Sequence, residues 1–212
     1  MFITSIFRSL QGESTYQGLP CTFIRLSECN LRCLYCDTKY SYQRGKSFSI
    51  KEVIDAICEY PLDLVEITGG EPLLQEKEVI SLCHMLLTLK IKVLIETNGS
   101  IDISTLPAEV IKIMDVKCPG SGMHENNLLS NFSKLNKDDQ IKFVIKDRND
   151  FDWSIQIVRK YKLLENAIVI FSTVAGELSL ENMANWILET KLGIRMQIQL
   201  HKYIWLNSNK EV

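Results

Sequence analysis

The sequence predicts an α/β protein, an incomplete TIM-like barrel of about six parallel strands with a short C-terminal extension. Three observations predict it. Short, near-continuously apolar runs alternate with longer segments of helical period, the pattern of right-handed βαβ units whose strands are covered on both faces. The chain has 212 residues, fewer than the about 250 that eight complete βα units usually take. Polar residues crowd the C-terminal ends of the apolar runs, where parallel sheets and barrels keep their chemistry.

The first predicted strand is CTFIRL, from Cys21, and its exit carries Glu28 and Cys29. SIKEVIDAICEY then reads as a helix: Ser49 and Glu52 form a capping box, and Val53, Ile54, Ile57 and Cys58 lie along one stripe. LVEIT, from Leu64, runs out into TGGEP, and a second helix covers about residues 76–89. VLIET from Val93 exits as ETNG, and IKIMDV from Ile111 exits as DVKCPGSG. IKFVI from Ile141 precedes a helix over about 151–164. AIVIF from Ala167 precedes a last helix over about 180–190, stopped by Gly193, and MQIQL from Met196 is the final strand. No repeat, low-complexity tract or linker interrupts the pattern, so residues 1–212 are expected to form a single domain.

Composition narrows the partner. With 46% hydrophobic and 24% charged residues the chain is an ordinary globular one. A net charge of −2 offers no electrostatic footprint for nucleic acid or an anionic membrane. The N-terminal segment does not read as a secretory leader, and no run approaches the roughly 18 apolar residues that span a bilayer. A cytoplasmic protein with a small-molecule partner is expected. In a reducing compartment its seven cysteines read as metal ligands plus core residues.

Three of them, Cys29, Cys33 and Cys36, fall within ECNLRCLYCDT at the spacing C-x3-C-x2-C. A structural zinc site takes four ligands, usually as two close pairs, and no second pair or Cys/His knuckle follows. A four-iron cluster held by three thiolates instead keeps one iron open to a substrate or cofactor. Zinc completed by another chain, or a redox thiol set, are the other readings. Cys21, Cys58 and Cys83 sit at apolar positions and are expected in the core, Cys118 is expected to pack, and His84 and His124 to lie at the surface.

The cysteine loop after the first barrel strand, with Tyr35 just before the last cysteine, and the segment TGGEP (Thr68 to Pro72) resemble the radical S-adenosylmethionine superfamily. The glycines of GGEP free the backbone to approach a ligand. SLQGES (Ser9 to Ser14), Arg25, CDT with Thr38, and QLHKYIW (Gln199 to Trp205) make the chain similar, over essentially its whole length, to the 7-carboxy-7-deazaguanine synthase family. The resemblance implies a [4Fe-4S] cluster on Cys29, Cys33 and Cys36, with S-adenosylmethionine cleaved at the open iron to a 5′-deoxyadenosyl radical. It also implies Mg2+ on Thr38, an external electron donor of flavodoxin or ferredoxin type, and a homodimer. The implied reaction converts 6-carboxy-5,6,7,8-tetrahydropterin to 7-carboxy-7-deazaguanine with loss of ammonia, within queuosine biosynthesis.

The same resemblance places Leu10, Gln11, Gly12, Glu13, Thr68 and His201 on the substrate side, with Arg25 gripping the substrate carboxylate through its two-pronged guanidinium. It places Tyr35, Cys36, Asp37, Gly70, Glu71, Asp115, Val116, Lys117, Ser172, Thr173, Val174 and Ala175 around S-adenosylmethionine. An activase that installs a glycyl radical on a partner enzyme shares the cysteine loop and is the second reading. A non-enzymatic metal-binding module is the third.

Overall fold

Along each long parallel strand the side chains serve two different faces. Ile24 and Leu26, Val65 and Ile67, Val93 and Ile95, Met114 and Val116, Ile141, Phe143 and Ile145, and Val169 and Phe171 point outward and form one buried cluster with the helices. Cys21, Phe23, Leu64, Leu94 and Ile113 form a smaller cluster on the inner face. Beyond that inner cluster the alternate positions turn polar, and the interior of the sheet becomes a cavity.

The structure, a computed structural model, describes residues 1–206. Its strands are β1 (Phe2–Leu10), β2 (Pro20–Leu26), β3 (Lys46–Ser47), β4 (Leu64–Gly69), β5 (Lys92–Thr97), β6 (Ile111–Val116), β7 (Gln140–Ile145), β8 (Ile168–Thr173) and β9 (Arg195–Met196). They form one sheet in the order β3-β1-β2-β4-β5-β6-β7-β8-β9. From β2 through β9 the pairing is parallel, and the sheet is not closed. The six long parallel strands are those the sequence predicts.

Helix α1 (Ile50–Cys58) starts at the predicted capping box, with the Ser49 hydroxyl accepting from the Glu52 N–H and the Glu52 carboxylate accepting from the Ser49 N–H. Helix α2 (Glu76–Thr88) follows β4, and α3 (Arg148–Lys160) follows β7. The latter begins three residues earlier than expected because Asp147 caps it, accepting from the Asp150 N–H. A separate turn, α4 (Leu163–Asn166), replaces the end of the predicted helix after Lys162 turns left-handed at φ 51°. Helix α5 (Leu180–Thr190) stops at Lys191, φ 56°, two residues before the glycine expected to end it.

Three departures bear on the site. Strand β1 was not expected: FITSIFRSL mixes apolar residues with Thr4, Ser5, Arg8 and Ser9, yet it pairs antiparallel with β2 from Ile3 opposite Leu26 to Leu10 opposite Pro20. MQIQL is not a strand beyond Met196, because the chain then leaves the sheet, crosses to the β1–β2 loop and ends in a turn of helix, α6 (His201–Ile204). Cys58, expected in the core, is exposed at the end of α1, whereas Cys21, Cys83 and Cys118 are buried. Among the described residues no helix is long and apolar enough to cross a membrane.

Candidate active site

The loop carrying the three thiols leaves β2 at a residue with positive φ, Glu28 at 70°. Its ends are tied by the Glu28 N–H, which donates to Ser41 O at 2.7 Å. Its middle is tied to the turn after β6 by Leu34 N–H donating to Ser121 O at 3.0 Å, and to β7 by the Tyr35 hydroxyl donating to Val144 O at 3.2 Å. The β4 exit packs directly on this loop. A Cβ at Gly69, whose φ is 139°, would lie 2.2 Å from Leu26 O, and one at Gly70 would lie 1.9 Å from Glu28 O. In their place run two hydrogen bonds, Gly70 N–H to Leu26 O at 3.1 Å and Glu71 N–H to Glu28 O at 2.9 Å. The glycines of TGGEP therefore seat one backbone against another as well as facing the cavity.

Glu71, expected around the cofactor, is fully buried and stands behind the cavity wall rather than on it. Its buried carboxylate accepts from Leu73 N–H at 3.0 Å, the Thr97 hydroxyl at 2.8 Å and Asn98 N–H at 2.7 Å. Burial pushes this carboxyl above the ordinary range. Asn98, held in this way, turns its amide toward Cys29 Sγ at 3.8 Å.

Cys29, Cys33 and Cys36, all free and half-buried, line a cavity of about 380 Å3. Cys29 Sγ also accepts from Leu31 N–H at 3.4 Å. Burial pushes the Cys29 and Cys33 thiols up, so they keep their protons until a metal displaces them. Among the described residues no three His, Cys, Asp or Glu side chains draw together around a single ion. Three thiols on one cavity wall, one of them facing N–H donors, fit a polynuclear thiolate-held cluster better than a lone metal.

The opposite wall is made by the loop after β1 and by charged residues on the inner face of the strands. Gln11 is buried, and its side chain is committed at both ends: Oε1 accepts from Glu13 N–H at 2.7 Å, and Nε2 donates to Glu66 Oε2. Gln11, expected on the substrate side, lines the cavity, and its side chain also orients Glu13. The Glu13 carboxylate pairs with Lys142 at 2.9 Å and accepts from Gln199 Nε2 at 2.8 Å. Burial opposes its ionisation, but the Lys142 ammonium and these hydrogen bonds hold it below the ordinary carboxylate range. Lys142 also contacts Glu96, and Asp115 at 3.7 Å, while Lys117 pairs with Asp115 at 2.9 Å. Burial, then the Glu96 carboxylate, pushes the Glu66 carboxyl well above the ordinary range.

Arg25 reaches the same cavity from β2, its guanidinium 5.7 Å from the Phe7 ring and 6.0 Å from the Tyr40 ring. Its Nε is buried and has no hydrogen-bond partner. Thr68 donates to Glu96 Oε2 at 3.1 Å, and the Thr38 hydroxyl to Asp37 Oδ1 at 3.0 Å. A strap of residues 197–202 closes this side. Gln197 Nε2 donates to Ser14 O at 2.6 Å, Leu200 N–H to Gly12 O at 2.9 Å, and Gln17 Nε2 to Ile198 O at 2.7 Å. Lys202 pairs with Asp37 at 3.1 Å, and His201 lies so close that a Cβ at Gly12 would be 2.5 Å from its Nδ1.

Leu10, Gly12, Tyr35, Asp37, Thr38, Thr68, Gly70, Asp115, Lys117, Val174, Ala175 and His201 thus share one cavity. Val116 does not reach it, because its strand position faces the helices. Ser172 and Thr173 are buried in β8 behind it. Glu66, Glu96 and Lys142 line it without having been singled out. Their signal was present: each is a charged residue inside an apolar strand, in LVEIT, VLIET and IKFVI.

Residues 24–187 match the Radical SAM superfamily. The chain is 42% identical to the 7-carboxy-7-deazaguanine synthase of Koribacter versatilis, with 100% of each chain covered. It is 38% identical to that of Chlorobaculum tepidum, over 96% of this chain and 93% of the other, and 41% identical to that of Methanospirillum hungatei, over 97% and 86%. In fold it resembles the crystal structure of QueE from Escherichia coli, with a TM-score of 0.77 at 20% identity over 94% of each chain.

Proposed function

The chain belongs to the 7-carboxy-7-deazaguanine synthase family of the radical SAM superfamily, and from that premise we propose that it converts 6-carboxy-5,6,7,8-tetrahydropterin to 7-carboxy-7-deazaguanine with release of ammonia. Bound together, the [4Fe-4S] cluster and S-adenosylmethionine supply a 5′-deoxyadenosyl radical, and Mg2+ supplies a second charge for the substrate carboxylate. Cys29, Cys33 and Cys36 hold the cluster, and Thr38 offers Mg2+ one protein oxygen, which suits an ion that keeps most of its waters. Tyr35, Gly70, Asp115, Lys117, Val174 and Ala175 form the adenosyl side.

The observation that carries this reading is the buried, unpartnered Nε of Arg25 on the same cavity as the three thiols. A buried guanidinium nitrogen without a partner is costly unless an anion arrives, and the carboxypterin brings one. Glu13, kept ionised by Lys142, accepts from the N–H groups of the pterin edge, and His201 packs over Gly12 at the rim. The strap of residues 197–202 keeps water from that side, which protects a reactive carbon radical from side reactions. A cytoplasmic homodimer served by a flavodoxin- or ferredoxin-type donor completes the reading, on the strength of the family resemblance.

Anaerobic reconstitution with iron and sulfide, followed by reductant, S-adenosylmethionine and the carboxypterin, tests it. A deazapurine carboxylate is expected. Unaltered pterin together with radical transfer to a glycyl radical enzyme would favour an activase, and zinc without inorganic sulfide would favour a metal-binding module.

A further inference from the structure

Lys142 projects from β7 into the cavity with 5% of its side chain exposed, and its ammonium meets carboxylates from three other parts of the chain. Glu13, at 2.9 Å, belongs to the β1–β2 loop and is steadied by Gln199 and, through its own N–H, by Gln11. Glu96, in direct contact, belongs to β5 and is steadied by Thr68. Asp115, at 3.7 Å, belongs to β6 and is steadied by Lys117. The fold itself does not ask for a lysine here. A buried ammonium carries a large desolvation penalty, and an apolar residue of similar volume commonly serves a core at least as well. The penalty is offset at this position because Glu13, Glu96 and Asp115 enter one cavity, where carboxylates without a shared cation would take up protons or swing apart.

We infer that Lys142 is a positioning residue that holds Glu13, on the substrate side, and Asp115, on the cofactor side, in one fixed relation, so that generation of the radical stays coupled to a correctly placed pterin. The inference rests on the assignment of Glu13 to the pterin and Asp115 to the adenosyl side. The coupling matters because a reacting carbon must be presented within a small fraction of its own diameter, and a misplacement of about 1 Å can cost about 100-fold in rate. Lys142 acts through the two carboxylates and needs no contact with either ligand.

Two readouts test it: calorimetric affinity of the cluster-free protein for the carboxypterin, and, on the reconstituted enzyme, the ratio of 5′-deoxyadenosine formed to deazapurine formed. K142M is expected to weaken pterin binding by roughly tenfold or more and to raise the ratio, while K142R, which keeps the charge, recovers part of both. E13Q is expected to weaken pterin binding, and the double variant K142M/E13Q to bind no worse than the weaker single variant, because the two residues act as one unit. A folded K142M with wild-type affinity and ratio overturns the inference, as do losses that multiply in the double variant. Wild-type pterin affinity in E13Q overturns the underlying assignment of Glu13 instead. Should K142M not fold, K142M/E96Q, which removes one carboxylate together with the ammonium, is read by the same two measurements.

Discussion

Gly70 and Glu28 meet backbone to backbone: a Cβ on Gly70 would stand 1.9 Å from the Glu28 carbonyl oxygen. Backbone cannot yield there as the end of a flexible side chain can. Gly70→Ala is therefore expected to displace the loop that begins at Glu28, at a cost of about 1–3 kcal/mol in stability. Iron and sulfide content per chain after reconstitution should fall with it, and thermal melting of the cluster-free protein separates the two effects.

Replacing Arg25 tests the anion site. Arg25→Lys keeps the charge but loses the planar fork, so it is not a conservative change at a carboxylate-binding position. The KM for the carboxypterin is expected to rise about 10- to 100-fold, in line with the loss of one charge-assisted hydrogen bond from a two-pronged grip. Formation of the cluster should be unaffected, which absorption spectra of the reconstituted variant will show.

Glu71→Gln asks whether a residue inside TGGEP is structural. Its carboxylate accepts three hydrogen bonds, and an amide would turn an NH2 group toward one of those donors. A loss of about 2 kcal/mol is expected, equivalent to a melting temperature lower by roughly 5 °C for a chain of this size. Glu71→Ala should lose more.

The strap should respond to pH through His201. Burial outweighs the neighbouring Glu13 carboxylate and holds the His201 imidazole below its ordinary value of 6.5. The unfolded chain binds that proton more readily, so the contribution of His201 to stability is complete above about pH 6.5 and is lost as pH falls through the folded value. The difference in melting temperature between the wild type and H201Q should accordingly shrink as the pH is lowered from about 7.5 to about 5.5.

Alanine at Cys29, Cys33 or Cys36 should abolish iron and sulfide binding if, as proposed, each supplies a thiolate to the cluster. Cys58→Ala, at an exposed position, should retain the full metal content, and Cys118→Ala should retain it at reduced stability, because its sulfur packs 3.3 Å from Ser154 Oγ in the core.

What could be read in the sequence followed from local chemistry. The Ser49–Glu52 box, the cysteine spacing and the two glycines of TGGEP each act within a few residues of themselves, and each is found where the pattern places it. What could not be read depended on which face a side chain takes. The apolar run IKFVI announces a buried strand, but only the sheet shows that Lys142 lies on the inner face, opposite carboxylates from the β1–β2 loop, β5 and β6. In the same way Gln11 and Glu71 look free to meet a ligand until the folded chain shows their polar atoms already engaged. Strand β1 was obscured because its half-buried edge tolerates Thr4, Ser5 and Ser9 in place of a clean alternation.

The bonds from Gln197 to Ser14 and from Leu200 to Gly12 join residues more than 180 positions apart. A growing polypeptide leaves the ribosome N-terminus first, so the β1–β2 loop is made long before the segment that closes over it. The wall behind Glu13 is thus among the most non-local contacts of the fold, and its closure waits on the ordering of the sheet that lies between the two segments.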